Sequence, residues 1–412
     1  MTAIPRETPA SAAASPTPAS DDAVARPSLR AMLRFFLWLG AAGFGGPIAL
    51  VGYMEREFVD RRHWVTRQEL KDGIAFSQLA PGPLAAQLAI YLGWLCAGLR
   101  GATLTGIAFV GPSFVMVLVL SALYLRFGGM SWLQGAFYGI GAAVIAIIAR
   151  SAVKLVRTTM GRDRLLWALF ALSAGATAWT ESEIVWLFVL SGAVAMIVKA
   201  PPRLTRSGAA SFAPPFGVWQ LPEWLLTGLH GAAGPAVLGT IFIYFASAGL
   251  FVFGSGLAIV PFLHGGVVQQ HQWLTERQFL DAVAVALITP GPVVITVAFI
   301  GYLVAGLLGA TVAAVAVFAP VYLLTVFLAP HFERWKANLR VRAFVDGVTA
   351  AATGAIAGAA FVLGKRAVVD VPTAVIAVAT LALLLRLKKI PEPFVILTAG
   401  VVGIVVKSAT GA

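Results

Sequence analysis

Displaced by 209 residues, the sequence registers on itself, and that repeat constrains the fold more than any other feature of the chain. Phe36, Gly40, Phe44, Gly45, Ala49 and Val51 meet Phe245, Gly249, Phe253, Gly254, Ala258 and Val260. Trp64, Thr66, Asp72 and Ala75 then meet Trp273, Thr275, Asp281 and Ala284, and Pro81-Gly82-Pro83 meets Pro290-Gly291-Pro292. The second copy is one residue shorter beyond this point, after which Gly93, Gly98, Gly101, Ala102 and Pro112 meet Gly301, Gly306, Gly309, Ala310 and Pro320. Chance does not place Pro-Gly-Pro, Trp and Gly-Ala in one register twice, so the chain consists of two homologous halves. They span 29–200 and 235–412, joined over 201–234 by a linker rich in proline, with Pro201-Pro202, Pro214-Pro215 and Pro222.

Within each half the apolar residues come in runs of about 20, long enough to cross a hydrocarbon layer of ~30 Å as a helix. They do not alternate over ten-residue strands as in an outer-membrane barrel. Hydrophobic residues make up 59% of the chain and charged ones 12%, about half the charge density of a soluble domain. The fold class is therefore an all-α polytopic membrane protein of about 10–13 membrane segments, with the lipid bilayer as its surroundings. Cys96 is the single cysteine, which excludes a disulfide framework and a thiolate metal cluster. The net charge of +12 does not point to nucleic acid, because Lys and Arg are spread over short loops between spans. Residues 1–28, rich in Ala, Ser, Thr and Pro, contain no apolar run of signal-peptide type and read as a disordered tail. Arg26, Arg30 and Arg34 before the first apolar segment place that tail on the cytoplasmic side of the plasma (inner) membrane.

The charges also reverse between the halves. Residues 55–72 carry Arg56, Arg61, Arg62, Arg67 and Lys71, whereas 264–281 carry only Arg277. Downstream, 125–132 hold only Arg126 while 329–342 hold Arg334, Lys336, Arg340 and Arg342. Since cationic loops stay cytoplasmic, equivalent loops fall on opposite faces and the repeat is of inverted topology. An odd number of crossings must then fit between 72 and 125. One span from about 101, preceded by a discontinuous or re-entrant segment broken at Pro81-Gly82-Pro83, satisfies the count. Inverting the second half also requires an extra crossing near the linker, for which the apolar stretch Pro235 to Tyr244 is the candidate.

Two helix-breaking clusters, each present twice, are the chemistry-bearing motifs. Gly43-Phe44-Gly45-Gly46-Pro47 answers to Phe253-Gly254-Ser255-Gly256, and Pro81-Gly82-Pro83 to Pro290-Gly291-Pro292. Glycine and proline force the backbone out of the helical ladder, and freed backbone groups at membrane depth are tolerated only where they line a cavity or meet a ligand. A fresh helix start there offers unpaired N–H groups and a positive dipole end, an anion site without a cationic side chain. The candidate substrate-binding residues are Phe44, Gly45, Gly46, Pro47, Pro81, Gly82, Pro83, Gly254, Ser255, Gly256, Pro290, Gly291 and Pro292. To these are added the neighbouring polar side chains Gln78, Gln87, Thr289 and Thr296, as anion donors or as satisfiers of broken backbone. Asp72 and Asp281 read first as helix N-caps and second as groups for proton coupling. His63, His264 and His271 lie in loops without metal-ligand spacing and read as solvated or capping residues. No catalytic constellation, nucleotide loop, cofactor motif or metal site is found, so a transporter is favoured over an enzyme.

Phe44-Gly45-Gly46-Pro47, Met54-Glu55, Trp64 and Pro81-Gly82-Pro83 in one half, with Phe253-Gly254-Ser255-Gly256, Trp273 and Thr289-Pro290-Gly291-Pro292 in the other, resemble the chromate ion transporter family in its long-chain, two-domain form. The resemblance covers about residues 30–407. It implies secondary active efflux of chromate from the cytoplasm, giving chromate resistance, with energy from the membrane potential or from protons. It also implies that substrate meets Gly45, Gly46, Pro47, Pro81, Gly82, Pro83 and their second-half matches. Ser255-Gly256 stands where the first copy has Gly-Pro, so the site is not strictly symmetric. A carrier of sulfate or another oxyanion, an anion channel, and association with a second copy of the chain are the readings that residue chemistry leaves open.

Overall fold

The glycines and prolines inside the apolar runs, more than the ends of those runs, set where the helices stop. The structure, a computed structural model, describes residues 26–44, 46–180, 185–200, 227–228, 231–232, 234–250, 252, 256, 259–332, 338–368, 370–386 and 392–410. The expected tail and linker lie almost wholly outside them. The first half holds α1 (Leu29–Ala42), α2 (Gly46–Glu55), α3 (Arg67–Leu79), α4 (Leu84–Phe127), α5 (Ser131–Thr159), α6 (Arg164–Thr180) and α7 (Val185–Lys199). The second holds α8 (Pro235–Leu250), α9 (Ile259–His264), α10 (Glu276–Ile288), α11 (Thr296–Leu328), α12 (Leu339–Ala367), α13 (Val371–Arg386) and α14 (Glu392–Thr410). Each first-half helix has its counterpart seven places on, and α2 and α9 both run on into wider-turned stretches, Arg56–Arg61 and Gly265–Gln270. Among the described residues, strand pairing is confined to Thr227–Gly228 with Gly231–Ala232.

Capping boxes start the equivalent helices α3 and α10. The Thr66 hydroxyl accepts the Glu69 N–H while the Glu69 carboxylate accepts the Thr66 N–H, and Thr275 and Gln278 do the same. Asp72 and Asp281, read from sequence as N-caps, therefore sit in the second turn, because a threonine six residues earlier already holds that position.

Each half then builds two helical hairpins and a long span. In the first hairpin α1 and the α2 continuation fold together, with the Phe35 and Phe36 rings 5.6 Å from Phe58 and Trp38 5.9 Å from Tyr53. In the second, α3 lies against the first arm of α4: Phe76 stacks on Tyr91 at 5.6 Å, on either side of a tip formed by Pro81-Gly82-Pro83. The 44-residue α4 is not one rod. It breaks at Ala97–Gly98, where Gly98 has φ +59° and ψ −148°, and the chain reverses so that Gly93 and Gly101 meet with no room for a Cβ on either. α11 repeats the device at Ala305–Gly306 (φ +62°, ψ −152°), with Gly301 against Gly309. The segment expected to enter and return at Pro-Gly-Pro is thus α3 with residues 84–96, and the long span expected from about 101 is 99–127.

The remaining helices interlock the halves. α5 and its counterpart α12 run antiparallel: Tyr138 donates to Asp370 at 2.6 Å, Gly364 faces Ile145, and Ala152 packs with Ile356. α12 is seated on α6 and α7 of the other half, with Gly354 and Gly358 against the Phe170 and Ala174 carbonyls and Gly347 against that of Ser191. α5 is seated on α14 in the same way, Gly139 meeting Ala399 and Gly403. Such small residues allow close helix approach where no hydrophobic force separates protein from lipid. Among the described residues, five helical stretches are long and apolar enough to cross a membrane: Leu84–Phe127, Ser131–Arg157, Val293–His331, Leu339–Ala367 and Glu392–Ala409. The stretch Pro235 to Tyr244 is not a separate helix. It opens α8, whose Gly249 packs on the Val317 carbonyl as Gly40 of α1 packs on that of Phe109.

Candidate functional site

The two Pro-Gly-Pro tips exchange partners across the molecule. The Gly82 N–H donates to the Val252 carbonyl at 2.6 Å, and the Gly291 N–H to the Gly43 carbonyl at 2.9 Å. Each tip therefore rests on the glycine break of the opposite half. Both glycines hold positive φ, +138° at Gly82 and +97° at Gly291, a region that L-residues avoid. There is no space for a side chain either: one at Gly82 would strike Gln87 and Val321, and one at Gly291 would strike Ser113 and the Gly40 carbonyl. Ser113 and Val321 are repeat counterparts, so one crossing has a hydroxyl where the other has two methyl groups.

Between the tips lies a cavity of about 10 Å³. Gly46, Pro47, Leu50, Pro83 and Ala85 line it from the first half, and Gly256, Gly291, Pro292, Val293 and Val294 from the second. The starts of α2, of the first arm of α4 and of the Val293–Ile295 turn leading into α11 all open onto it. First-turn N–H groups have no partner inside their own helix, and the helix dipole is positive there. Converging helix starts favour negative charge, and among the described residues no lysine or arginine lines this cavity. The volume suits about one water.

The structure brings some of the sequence-selected residues to this cavity and leaves others apart. Gly46, Pro47, Pro83, Gly256, Gly291 and Pro292 line it. Pro81, Gly82 and Pro290 form the tips directly behind. Phe44 is 37% exposed at the rim, and Gln78 is exposed on α3. Gln87 is fully buried and braces the first tip, its Nε2 donating to the Ala80 and Pro81 carbonyls at 3.2 and 2.7 Å, while its Oε1 has no partner among the described residues. Thr289 and Thr296 give their hydroxyl protons to the Val285 and Val293 carbonyls, 2.6 and 2.7 Å away, which is the backbone-satisfying role. Gly45, Gly254 and Ser255 lie outside the described residues.

Outside the cavity, Asp72 accepts from Gln68 on its own helix at 3.2 Å, whereas Asp281, 3% exposed, accepts from the Tyr124 hydroxyl of the other half at 2.7 Å. His264 is not solvated: it is 2% exposed and bonded to Glu276 at 2.8 Å, a carboxylate it shares with Arg366. Sequence reasoning passed over Ser113 and Tyr124. Their signal was the repeat register itself, which sets them against Val321 and Phe332, polar against apolar in otherwise matching copies.

Comparison with known proteins agrees with this two-fold construction. The family described as chromate transporter matches residues 30–197 and again 239–404. A chromate transport protein of Cupriavidus metallidurans is 54% identical over 92% of this chain and 93% of its own length. A probable chromate transport protein of Synechococcus elongatus is 51% identical over 92% and 95%, and a chromate transport protein of Pseudomonas aeruginosa 32% identical over 94% and 95%. No solved structure matches the chain. With its sequence matched twice, once for each set of seven helices, this multi-pass membrane protein belongs to the chromate transporter family.

Proposed function

We propose that the chain is a secondary carrier that exports chromate from the cytoplasm across the plasma (inner) membrane and so confers chromate resistance. The observation that carries this reading is the convergence of both helix-breaking motifs, from both halves, on one cavity walled by helix starts. Chromate is a tetrahedral dianion, and unpaired N–H groups at dipole ends stabilise such charge without a counter-ion that would hold it too firmly for release.

Alternating access follows from an inverted repeat, in which equivalent helices run in opposite senses. The antiparallel course of α5 and α12 supports it. So do the bonds of Lys199 with Asp163 and Asp346, at 2.6 and 3.6 Å, which put the ends of α5 and α7 beside the start of α12. The cationic loops 55–72 and 329–342 share the cytoplasmic face in this arrangement, together with the amino terminus. Asp72 and Asp281, at equivalent places in α3 and α10, are the two candidates for proton coupling.

Radiolabelled chromate flux into proteoliposomes tests the proposal. Saturable uptake driven by an imposed pH gradient or potential, with partial competition by sulfate, is the expected result. Flux that never saturates and needs no driving ion would make the protein a channel. Transport of sulfate without chromate would make it a carrier of a different oxyanion.

A further inference from the structure

We propose that Asp281 and Tyr124 form a proton-operated latch between the halves, Asp281 being the group that takes up and releases the coupling proton and Tyr124 its positioning partner. The proposal rests on the carrier reading above and assigns the coupling to one half of an otherwise repeated structure.

The geometry singles out this pair. Asp281 lies in the second turn of α10, 3% exposed, and its Oδ2 accepts from the Tyr124 hydroxyl at 2.7 Å across the boundary between halves. Tyr124 stands near the end of the long span of α4, against Phe299 of α11 and Phe137 of α5. The repeat counterparts do not reproduce the bond. Asp72 is held by Gln68 on its own helix, and the residue matching Tyr124 is Phe332, which has no hydroxyl and packs edge-on against Phe76 at 5.4 Å.

The charged surroundings are equally defined. Arg277, one turn earlier on α10, is the cation that acts on Asp281, and its guanidinium donates to the Gln134 carbonyl of α5 at 3.3 Å. Glu276, also on α10, is taken by His264 and Arg366. The span Thr296–Leu328 of α11 carries no charged residue. On α5 Arg150 faces Glu392 of α14 at 3.9 Å, Lys407 of α14 lies over Tyr138, and Arg126 of α4 over Phe127. A hydroxyl bonded to an ionised carboxylate holds about twice as strongly as one bonded to a neutral acid. The deprotonated pair thus favours the closed arrangement, and proton uptake loosens it. One proton enters Asp281 from one face and leaves to the other, with no other bond made or broken.

The test separates coupling from transport in proteoliposomes. Chromate exchange at equal pH needs no net proton movement, whereas accumulation driven by a pH gradient does. Asp281→Asn should keep exchange within about twofold of the wild type and lose driven accumulation by at least about tenfold. Asp72→Asn should keep both. Tyr124→Phe should keep both while moving the pH midpoint of driven accumulation by about one unit. Driven accumulation surviving in Asp281→Asn would overturn the latch, as would loss of exchange in a properly inserted Asp281→Asn protein. If that variant does not reach the membrane, the Tyr124→Phe midpoint decides, and an unmoved midpoint overturns the proposal. Wild-type protein showing neither exchange nor accumulation would instead defeat the carrier reading itself.

Discussion

Gly46 and Gly291 separate two ways in which a glycine serves this site. Both hold positive φ, +73° and +97°, so any side chain adds backbone strain of about 1–2 kcal/mol. At Gly291 a Cβ also collides with Ser113 and the Gly40 carbonyl, while at Gly46 it meets open space beside the cavity. Gly46→Leu is therefore expected to insert and extract like the wild type yet lose transport by more than about tenfold, because the side chain occupies room the anion needs. Gly291→Leu is expected to lose expression as well, since the tip can no longer rest on Gly43. Size-exclusion profiles measured beside chromate flux distinguish the two. Gln87 is a third case: Gln87→Leu leaves the Ala80 and Pro81 carbonyls without their donor, at a cost of about 1–3 kcal/mol, and should lower thermal stability in detergent.

The elements show which parts of the fold were legible beforehand. Glycine and proline act on their own neighbourhood, so the breaks at 43–47 and 81–83, the hairpin tip and a long span from about 101 could be read from the residues alone. Helix phase could not. Gln78 and Gln87 flank the same tip, and only the rotation of each helix leaves one exposed and the other fully buried. The Tyr124–Asp281 bond joins residues 157 apart, which no local pattern announces. The Ala97–Gly98 reversal is a purely local requirement, and Gly98 has open space around it. With φ +59° and ψ −148° the position belongs to glycine, and Gly98→Ala should cost about 1–3 kcal/mol through strain alone. The expected reading is a fall of about 2–8 °C in the detergent melting temperature, matched by Gly306→Ala in the second half.

At the scale of the whole molecule, the halves are exchanged rather than juxtaposed. α5 lies on α13 and α14 and α12 on α6 and α7, so neither half can bury its small-residue faces alone. Residues 1–200 and 201–412 produced as separate chains should each be degraded, and together should restore chromate transport. The same interlocking has a consequence for sidedness. In the inverted arrangement proposed above, the 99–127 part of α4 with α5, α6 and α7 returns the chain at Lys199 to the face on which α1 began. The contacts of Tyr124 with α10 and of Phe332 with α3 support hairpins of the second half that open on the opposite face. Single cysteines at His63 and Asn338 in a Cys96→Ser background should then react with an impermeant maleimide only from the cytoplasm, and those at Gly129 and Gln272 only from outside. Labelling of His63 and Gln272 from the same face would exclude the inverted arrangement, and with it the rocking of equivalent halves about the cavity between the two Pro-Gly-Pro tips.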